Sequence, residues 1–289
     1  MSGKRLAIVG CGLMGGSFAL AARARHLVDE VVGYSPSAHT REAALAHGVI
    51  DQAVDTAQAA MAQADVVLLA VPVGATADCL SQAQQALAPH ALLMDVGSTK
   101  GNVVQLAQQH LGQRLSNFVP CHPIAGKERA GVQHAEPNLY MDRRVIVTAT
   151  AATADTALTQ AQALWQGIGA QVTHMSAEAH DAAFAGVSHV PHLLAFAYML
   201  GMLQQPQANE WLRLAGPGFR DFTRIAASDP TLWRDVLFAN RDHVLTQTQS
   251  FEQALHTLTQ CLTHNDAQGL QALIAQAGAA RSQWTLQAD

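Results

Sequence analysis

The sequence predicts an α/β, doubly wound N-terminal domain over residues 1–173, followed by an all-α C-terminal domain over residues 174–289. Two observations predict it. Up to about residue 173, short β-branched runs alternate with alanine- and glutamine-rich stretches of helical spacing, the pattern of a largely parallel sheet wrapped by helices. From about Ala177 onward strand signals stop, and segments such as FEQALHTLTQCLTHNDAQGLQALIAQAG keep apolar residues three and four apart. At 289 residues, 49% of them hydrophobic, the chain is long enough for two domains with sizeable cores.

The strands read in order as RLAIVG, EVVGYS, DVVLLAVP, ALLMDVGS, FVPCHP, RVIVTAT and AQVTHMS. Their runs are continuously apolar, as expected of strands covered on both faces. Directly after the first run, Gly10, Gly12 and Gly15 form G-x-G-x-x-G and open the helical stretch GSFALAARARH. In that context the glycines permit a tight turn and let a dinucleotide pyrophosphate reach the amides of Leu13 and Met14, so the domain is Rossmann-like. LLAVP ends the third run at Val71 and Pro72 beside the same crevice.

Where NAD-specific sites of this kind carry a carboxylate after the second strand, this chain has Ser35, with Ser37 following and Arg41 one helical turn later. Two hydroxyls and a guanidinium suit the 2′-phosphate of NADP, which is the favoured cofactor; the alternative is NAD, held through Ser35 or the backbone, with Arg41 a solvated helix residue.

Polar residues also stand where later strands leave the sheet. DVGSTKG places Asp95, Ser98 and Lys100 there, and CHPIAG places His122. Ligands of open α/β sheets bind outside the carboxyl ends of the strands, so Ser98 and His122 are candidates to face a nicotinamide. An imidazole, with an ordinary pKa near 6.5, suits removal of a hydroxyl proton as hydride leaves carbon. Cys121 beside it suggests a Cys/His nucleophile pair, but adjacent strand residues point to opposite faces.

The helical half adds His180, His189 and His192 in HDAAFAGVSHVPH, and Arg220 and Arg224 in GFRDFTRIA. The histidines read as polar lining of a substrate cavity; zinc is the alternative, disfavoured because no Cys or carboxylate stands at ligand spacing, and no metal is expected. Arginines four apart repel unless an anion lies between them, which points to a carboxylate-bearing substrate. Solvated arginines, one paired with Asp221 or Asp229, are the plainer reading.

Seventeen Lys and Arg against 22 Asp and Glu give a net charge of −5, with no basic run to follow a nucleic-acid backbone or an anionic membrane. Small molecules are the expected partners. The opening MSGKRLAIVG lacks a signal-peptide core, and the apolar run LLAFAYMLGML is about half of a bilayer span, so a cytoplasmic protein is expected. Four dispersed cysteines without a C-x-x-C pair read as reduced and structural.

Taken together, GCGLMGGS, DVGSTK, HPIAG, HDAAFAGVSHVPH and GFRDFTRIA resemble, in order and spacing, the prephenate and arogenate dehydrogenases of tyrosine biosynthesis, over about residues 5–260. The resemblance implies that His122 is the catalytic histidine and that Ser98 hydrogen-bonds with it and with the substrate's ring hydroxyl. It implies that Arg224 binds a substrate carboxylate with support from Arg220 and His192. It further implies a homodimer built by the helical domain, an active site between the domains and an oxidative decarboxylation that uses NADP or NAD. With no chorismate-mutase-like segment or regulatory domain in view, a single-activity dehydrogenase is expected. A 3-hydroxyacid dehydrogenase is the runner-up, but that class uses a lysine in its helical domain and no Lys follows Lys127. A nucleotide-sensing module without catalysis would not need His122, Ser98 and Arg224 together.

Overall fold

Each apolar run becomes a buried strand of a parallel sheet. A computed structural model describes residues 4–127 and 129–284. Strands β1 (Arg5–Val9), β2 (Glu30–Tyr34), β3 (Gln52–Ala53), β4 (Val66–Leu69), β5 (Leu92–Asp95) and β6 (Phe118–Val119) form one sheet in the order β3-β2-β1-β4-β5-β6, with every pair parallel. Helices α1 (Leu13–Ala24), α2 (Ala38–Ala46), α3 (Ala57–Met61), α4 (Thr76–Ala86) and α5 (Gly101–His110) make the crossovers. The order reverses between β1 and β4, and that switch point opens the crevice in which such folds bind ligands.

Alternation along β1 explains why both faces are apolar. Leu6 and Ile8 pack into one core with Phe18, Leu68, Met94 and Trp165. Ala7 and Val9 pack into the other with Val32, Leu69, Leu80 and Leu93. Burying each large side chain stabilises the fold by about 1.5–3 kcal/mol.

The single sheet expected up to residue 173 divides in two. FVPCHP, which reads as one strand, breaks at Pro120, which has no N–H to donate to a ladder. Beyond it β7 (Cys121–Pro123) pairs antiparallel with β8 (Arg144–Val147), and β8 pairs parallel with β9 (Gln171–His174), giving a second sheet of three strands. The Pro120 carbonyl accepts from Thr148 N–H at 3.0 Å. Helix α6 (Asp155–Gly167) precedes β9 and carries Trp165, whose Nε1 donates to Cys121 Sγ at 3.3 Å.

The remainder is helical: α7 (Ala177–Phe184), a π-helical turn over Ala185–His189, α8 (Val190–Leu203), α9 (Ala208–Arg213), α10 (Pro217–Thr223), α11 (Pro230–Ala239), α12 (Arg241–Thr263) and α13 (Ala267–Gln283). By its contacts the chain forms one compact unit that runs to Ala183 and takes in Ser228–Asn240, and a second that holds Phe184–Ala227 and the helices from Arg241 onward. Polar bonds explain this. Asp181 on α7 binds the turn before α5, Asn240 Nδ2 donates to the Asp181 carbonyl at 2.7 Å, and α11 packs on the 3₁₀ turn Val73–Ala75.

In the second unit Val187, Leu200, Leu203, Leu214, Leu262 and Ile274 are more than half exposed, so its helices keep apolar surface uncovered within the chain. The helical run Ala177–Leu203 is long and apolar enough, by length and composition, to cross a membrane; it also carries His180, Asp181, His189 and His192.

Candidate active site

The glycine loop between β1 and α1 is tight at two of its glycines and open at the third. Gly10 has φ +104°, and a Cβ there would lie 2.2 Å from the Ala70 carbonyl oxygen. A Cβ on Gly15 would lie 2.4 Å from the Gly10 oxygen, so this residue sets how closely α1 meets the loop. Gly12 differs: a Cβ there would meet nothing within 4 Å, so its bare Cα faces open space. No side chain caps α1, and helical bonding begins only with Gly16 N–H to the Gly12 carbonyl at 2.9 Å. The amides of Leu13, Met14 and Gly15 therefore have no helical acceptors, and they suit an anionic pyrophosphate. Tyr140, wholly buried against Phe18 and Trp165, donates its hydroxyl to the Met14 carbonyl at 2.7 Å and pins this turn from beneath. Val71 is half-buried and Pro72 exposed just past β4.

At the end of β2, Arg41 folds back so that Nη1 donates to the Ser35 carbonyl at 2.6 Å and Nη2 to Asp55 Oδ1 at 2.9 Å. Asp55 is 92% exposed, so this ion pair is a surface one of small net energy. Ser35 is buried, and Ser37 caps α2 by accepting from Thr40 N–H at 3.3 Å. Its side-chain oxygen thus has a structural partner that sequence reading did not assign.

His122 is placed by its neighbours. Lys100, with no exposed surface, donates Nζ to Asp95 Oδ2 at 2.5 Å and to the Cys121 carbonyl at 2.7 Å. Asp95 Oδ1 accepts the Cys121 N–H at 3.0 Å, so one buried ion pair grips both backbone groups of the residue before His122. Cys121 itself faces the core. Burial, the nearby Asp95 charge, and only partial offset from Lys100 and Trp165 push its thiol up to about 12, so it is no thiolate nucleophile. Ser98 sits half-buried in the turn between β5 and α5, and Nδ1 of His122 meets Nε2 of His180 at 2.8 Å.

His180 is fully buried, and its Nδ1 lies 2.7 Å from Asp181 Oδ1. Asp181 also accepts the N–H of Lys100 through Oδ1 and of Gly101 through Oδ2, both at 2.8 Å, at the start of α5. Burial would raise the Asp181 carboxyl, but the bonds from His180, Lys100 and Gly101 outweigh it and hold the group below the usual carboxylate range. Sequence reading placed His180 among cavity-lining residues and passed over Asp181. The signal was available as an His-Asp pair on one helix, but only the fold shows that the pair meets β7 and α5.

In the second unit, His192 donates Nδ1–H to the Ser188 carbonyl at 2.9 Å. Burial lowers its pKa, Ser188 partly opposes this, and the positive charge of Arg224 adds to the lowering, so the imidazole stays neutral beside a guanidinium. Arg224 begins the 3₁₀ turn that continues α10, and Arg220 in α10 is exposed and bonded to Asp221 at 3.1 Å. Asp229 instead caps α11. His189, in the π-helical turn, is 1% exposed. Among the described residues no three His, Cys, Asp or Glu side chains gather as a metal site.

The profile of the prephenate dehydrogenase nucleotide-binding domain matches residues 18–174, and that of the prephenate dehydrogenase dimerization domain matches residues 176–276. The chain is 35% identical over 269 residues to the prephenate dehydrogenase of Bacillus subtilis, covering 91% of this chain and 71% of that one. It is 34% identical to the cyclohexadienyl dehydrogenase of Zymomonas mobilis, covering 91% and 90%. The solved structure of A. aeolicus prephenate dehydrogenase in complex with hydroxyphenyl propionate and NAD+ superposes with a TM-score of 0.91 at 32% identity, covering 98% of each chain.

Proposed function

This chain belongs to the prephenate dehydrogenase family, and we propose that it oxidatively decarboxylates prephenate to 4-hydroxyphenylpyruvate in tyrosine biosynthesis. The observation that carries this is the His122 imidazole, gripped through its backbone by Asp95 and Lys100 and through Nδ1 by His180, in a domain whose Gly12 turn is open to a dinucleotide. Gly10, Gly12, Leu13, Met14 and Gly15 hold the pyrophosphate, and Val71 and Pro72 flank it. When bound, the nicotinamide supplies the hydride acceptor.

His122 acts as the base. It accepts the proton of the ring hydroxyl as hydride leaves the carbon bearing that oxygen. Loss of the ring carboxylate as carbon dioxide then makes the ring aromatic, and His122 returns the proton to the phenolate. Ser98 orients the hydroxyl. Arg224 binds a substrate carboxylate, supported by Arg220 and His192, while buried His189 shapes the site from behind. Because His192 is neutral, the positive charge comes from the arginines, and it favours the pyruvyl side chain of prephenate over the ammonium of arogenate. Arogenate is then the weaker substrate. Absorbance at 340 nm with prephenate and arogenate, each with NAD and NADP, tests the reading; a chain that binds the cofactor but turns over neither substrate is a nucleotide-binding module instead.

Arg224→Ala should raise KM about 30-fold with a smaller change in kcat, since a charge-assisted bond of about 2 kcal/mol is made before and during reaction. Unchanged substrate affinity would take Arg224 out of the site.

For the cofactor we favour NADP. No carboxylate follows β2, and Arg41 already lies against Ser35, where a 2′-phosphate needs only to displace the exposed Asp55 carboxylate. Ser35→Asp should move the ratio of kcat/KM at least about tenfold towards NAD, or about 1.4 kcal/mol. Arg41→Ala should weaken NADP alone. A wild-type enzyme using NAD at least as well as NADP would show that these residues are no phosphate site.

The apolar surface of the C-terminal helices, in the part matched by a dimerization domain, supports a homodimer. The net charge of −5 supports small-molecule partners over nucleic acid or an anionic membrane surface.

A further inference from the structure

We infer that Asp181 sets the tautomer of His122 through His180, which makes Asp181 and His180 positioning residues of the reaction; this rests on His122 being the base. Three acceptor and donor facts lead there. A carboxylate only accepts, so the 2.7 Å contact between Asp181 Oδ1 and His180 Nδ1 places a proton on that nitrogen. In its neutral form His180 then has its lone pair on Nε2. The 2.8 Å contact from there to His122 requires the second imidazole to donate from Nδ1. His122 so arranged carries its proton on Nδ1 and its lone pair on Nε2, and Nε2 is the atom that accepts the substrate proton.

Asp181 is itself fixed. It is 4% exposed, and the Lys100 and Gly101 N–H groups at the start of α5 hold its two oxygens at 2.8 Å, which leaves the carboxylate one orientation towards His180. Asn240 holds its backbone carbonyl at 2.7 Å. Lys100 joins the two halves of the arrangement: its N–H orients Asp181, and its Nζ holds the carbonyl of Cys121 next to His122. Oδ1 accepts from both the Lys100 N–H and His180 Nδ1, and Oδ2 accepts from the Gly101 N–H. Asn could place its one oxygen at Oδ1 and still hold His180, so it does not separate the two roles; Asp181→Leu has neither oxygen. His180 Nδ1 then loses its acceptor, its proton is free to pass to Nε2, and His122 is free to accept at Nδ1 and carry its proton on Nε2, the atom the reaction needs bare.

Asp181→Leu tests this in the full-length protein. ¹⁵N spectra of histidine-labelled protein at a pH where the imidazoles are neutral, with His122 assigned by its loss in His122→Asn, should show the Nδ1–H form in the wild type and a substantial Nε2–H fraction in Asp181→Leu. Turnover with prephenate should fall by about 30- to 100-fold while KM and NAD(P)H binding stay within threefold. A wild-type His122 protonated on Nε2 overturns the inference even if the variant does not fold. So does a variant with turnover within threefold of wild type, or one that loses turnover with the His122 tautomer unchanged, which would mark Asp181 as a helix cap alone. Failure of the catalytic reading looks different: His122→Asn would then keep its turnover whatever the spectra show.

Discussion

His122→Asn is expected to lower kcat by roughly two to four orders of magnitude, the usual contribution of a positioned acid or base, while NAD(P)H binding stays as in the wild type. The substitution is selective because of where His122 stands. The backbone of β7 is held through Cys121 by Asp95 and Lys100, and the Cys121 side chain lies on the other face against Trp165, so neither depends on the imidazole. Asn retains a polar group able to meet His180, but it has no basic nitrogen. The ring hydroxyl must then lose its proton to water, and the barrier rises by the free energy the imidazole supplied. Steady-state kinetics with prephenate, combined with fluorescence titration of NAD(P)H, separate the two effects. Turnover near the wild-type value would remove His122 from the mechanism, and weakened cofactor binding would place it in the wrong part of the site.

Lys100→Met should destabilise the protein by about 3–5 kcal/mol, because it leaves a buried carboxylate without its cation. Lys100 and Asp95 are 0% and 3% exposed, so solvent cannot replace the lost partner. Met fills much of the volume but donates nothing, and both Asp95 Oδ2 and the Cys121 carbonyl lose their ammonium. Thermal unfolding should show a fall in Tm on the order of 10 °C. Adding Asp95→Asn removes the orphaned charge, so the double variant should regain part of the loss. An unchanged Tm in the single variant would show that the pair contributes little to the fold. A partial recovery of Tm without recovery of turnover is expected, since the grip of Nζ on the strand that carries His122 stays lost.

Local chemistry was enough for much of this. The order of strands and helices follows from apolar runs that only a two-sided sheet can cover, and the dinucleotide turn follows from three glycines whose roles depend on backbone freedom over a few residues. His122 was legible because a histidine followed by proline at a strand end is placed by local geometry. The division of FVPCHP into two strands was less so: Pro120 announces a break, but which partner β7 finds depends on β8, more than 20 residues later. Tertiary structure alone decided the rest. Asp181 and Lys100 are 81 residues apart, and Asn240 lies 59 beyond Asp181, so no period or motif relates them. Such contacts arise because buried donors and acceptors must be paired, and the fold selects which distant groups meet that demand. By itself the sequence determined the kind of domain and the nucleotide turn, and it singled out the histidine proposed as the base. What holds that histidine, and through which nitrogen, was decided by the packing of α7 against β7 and the start of α5.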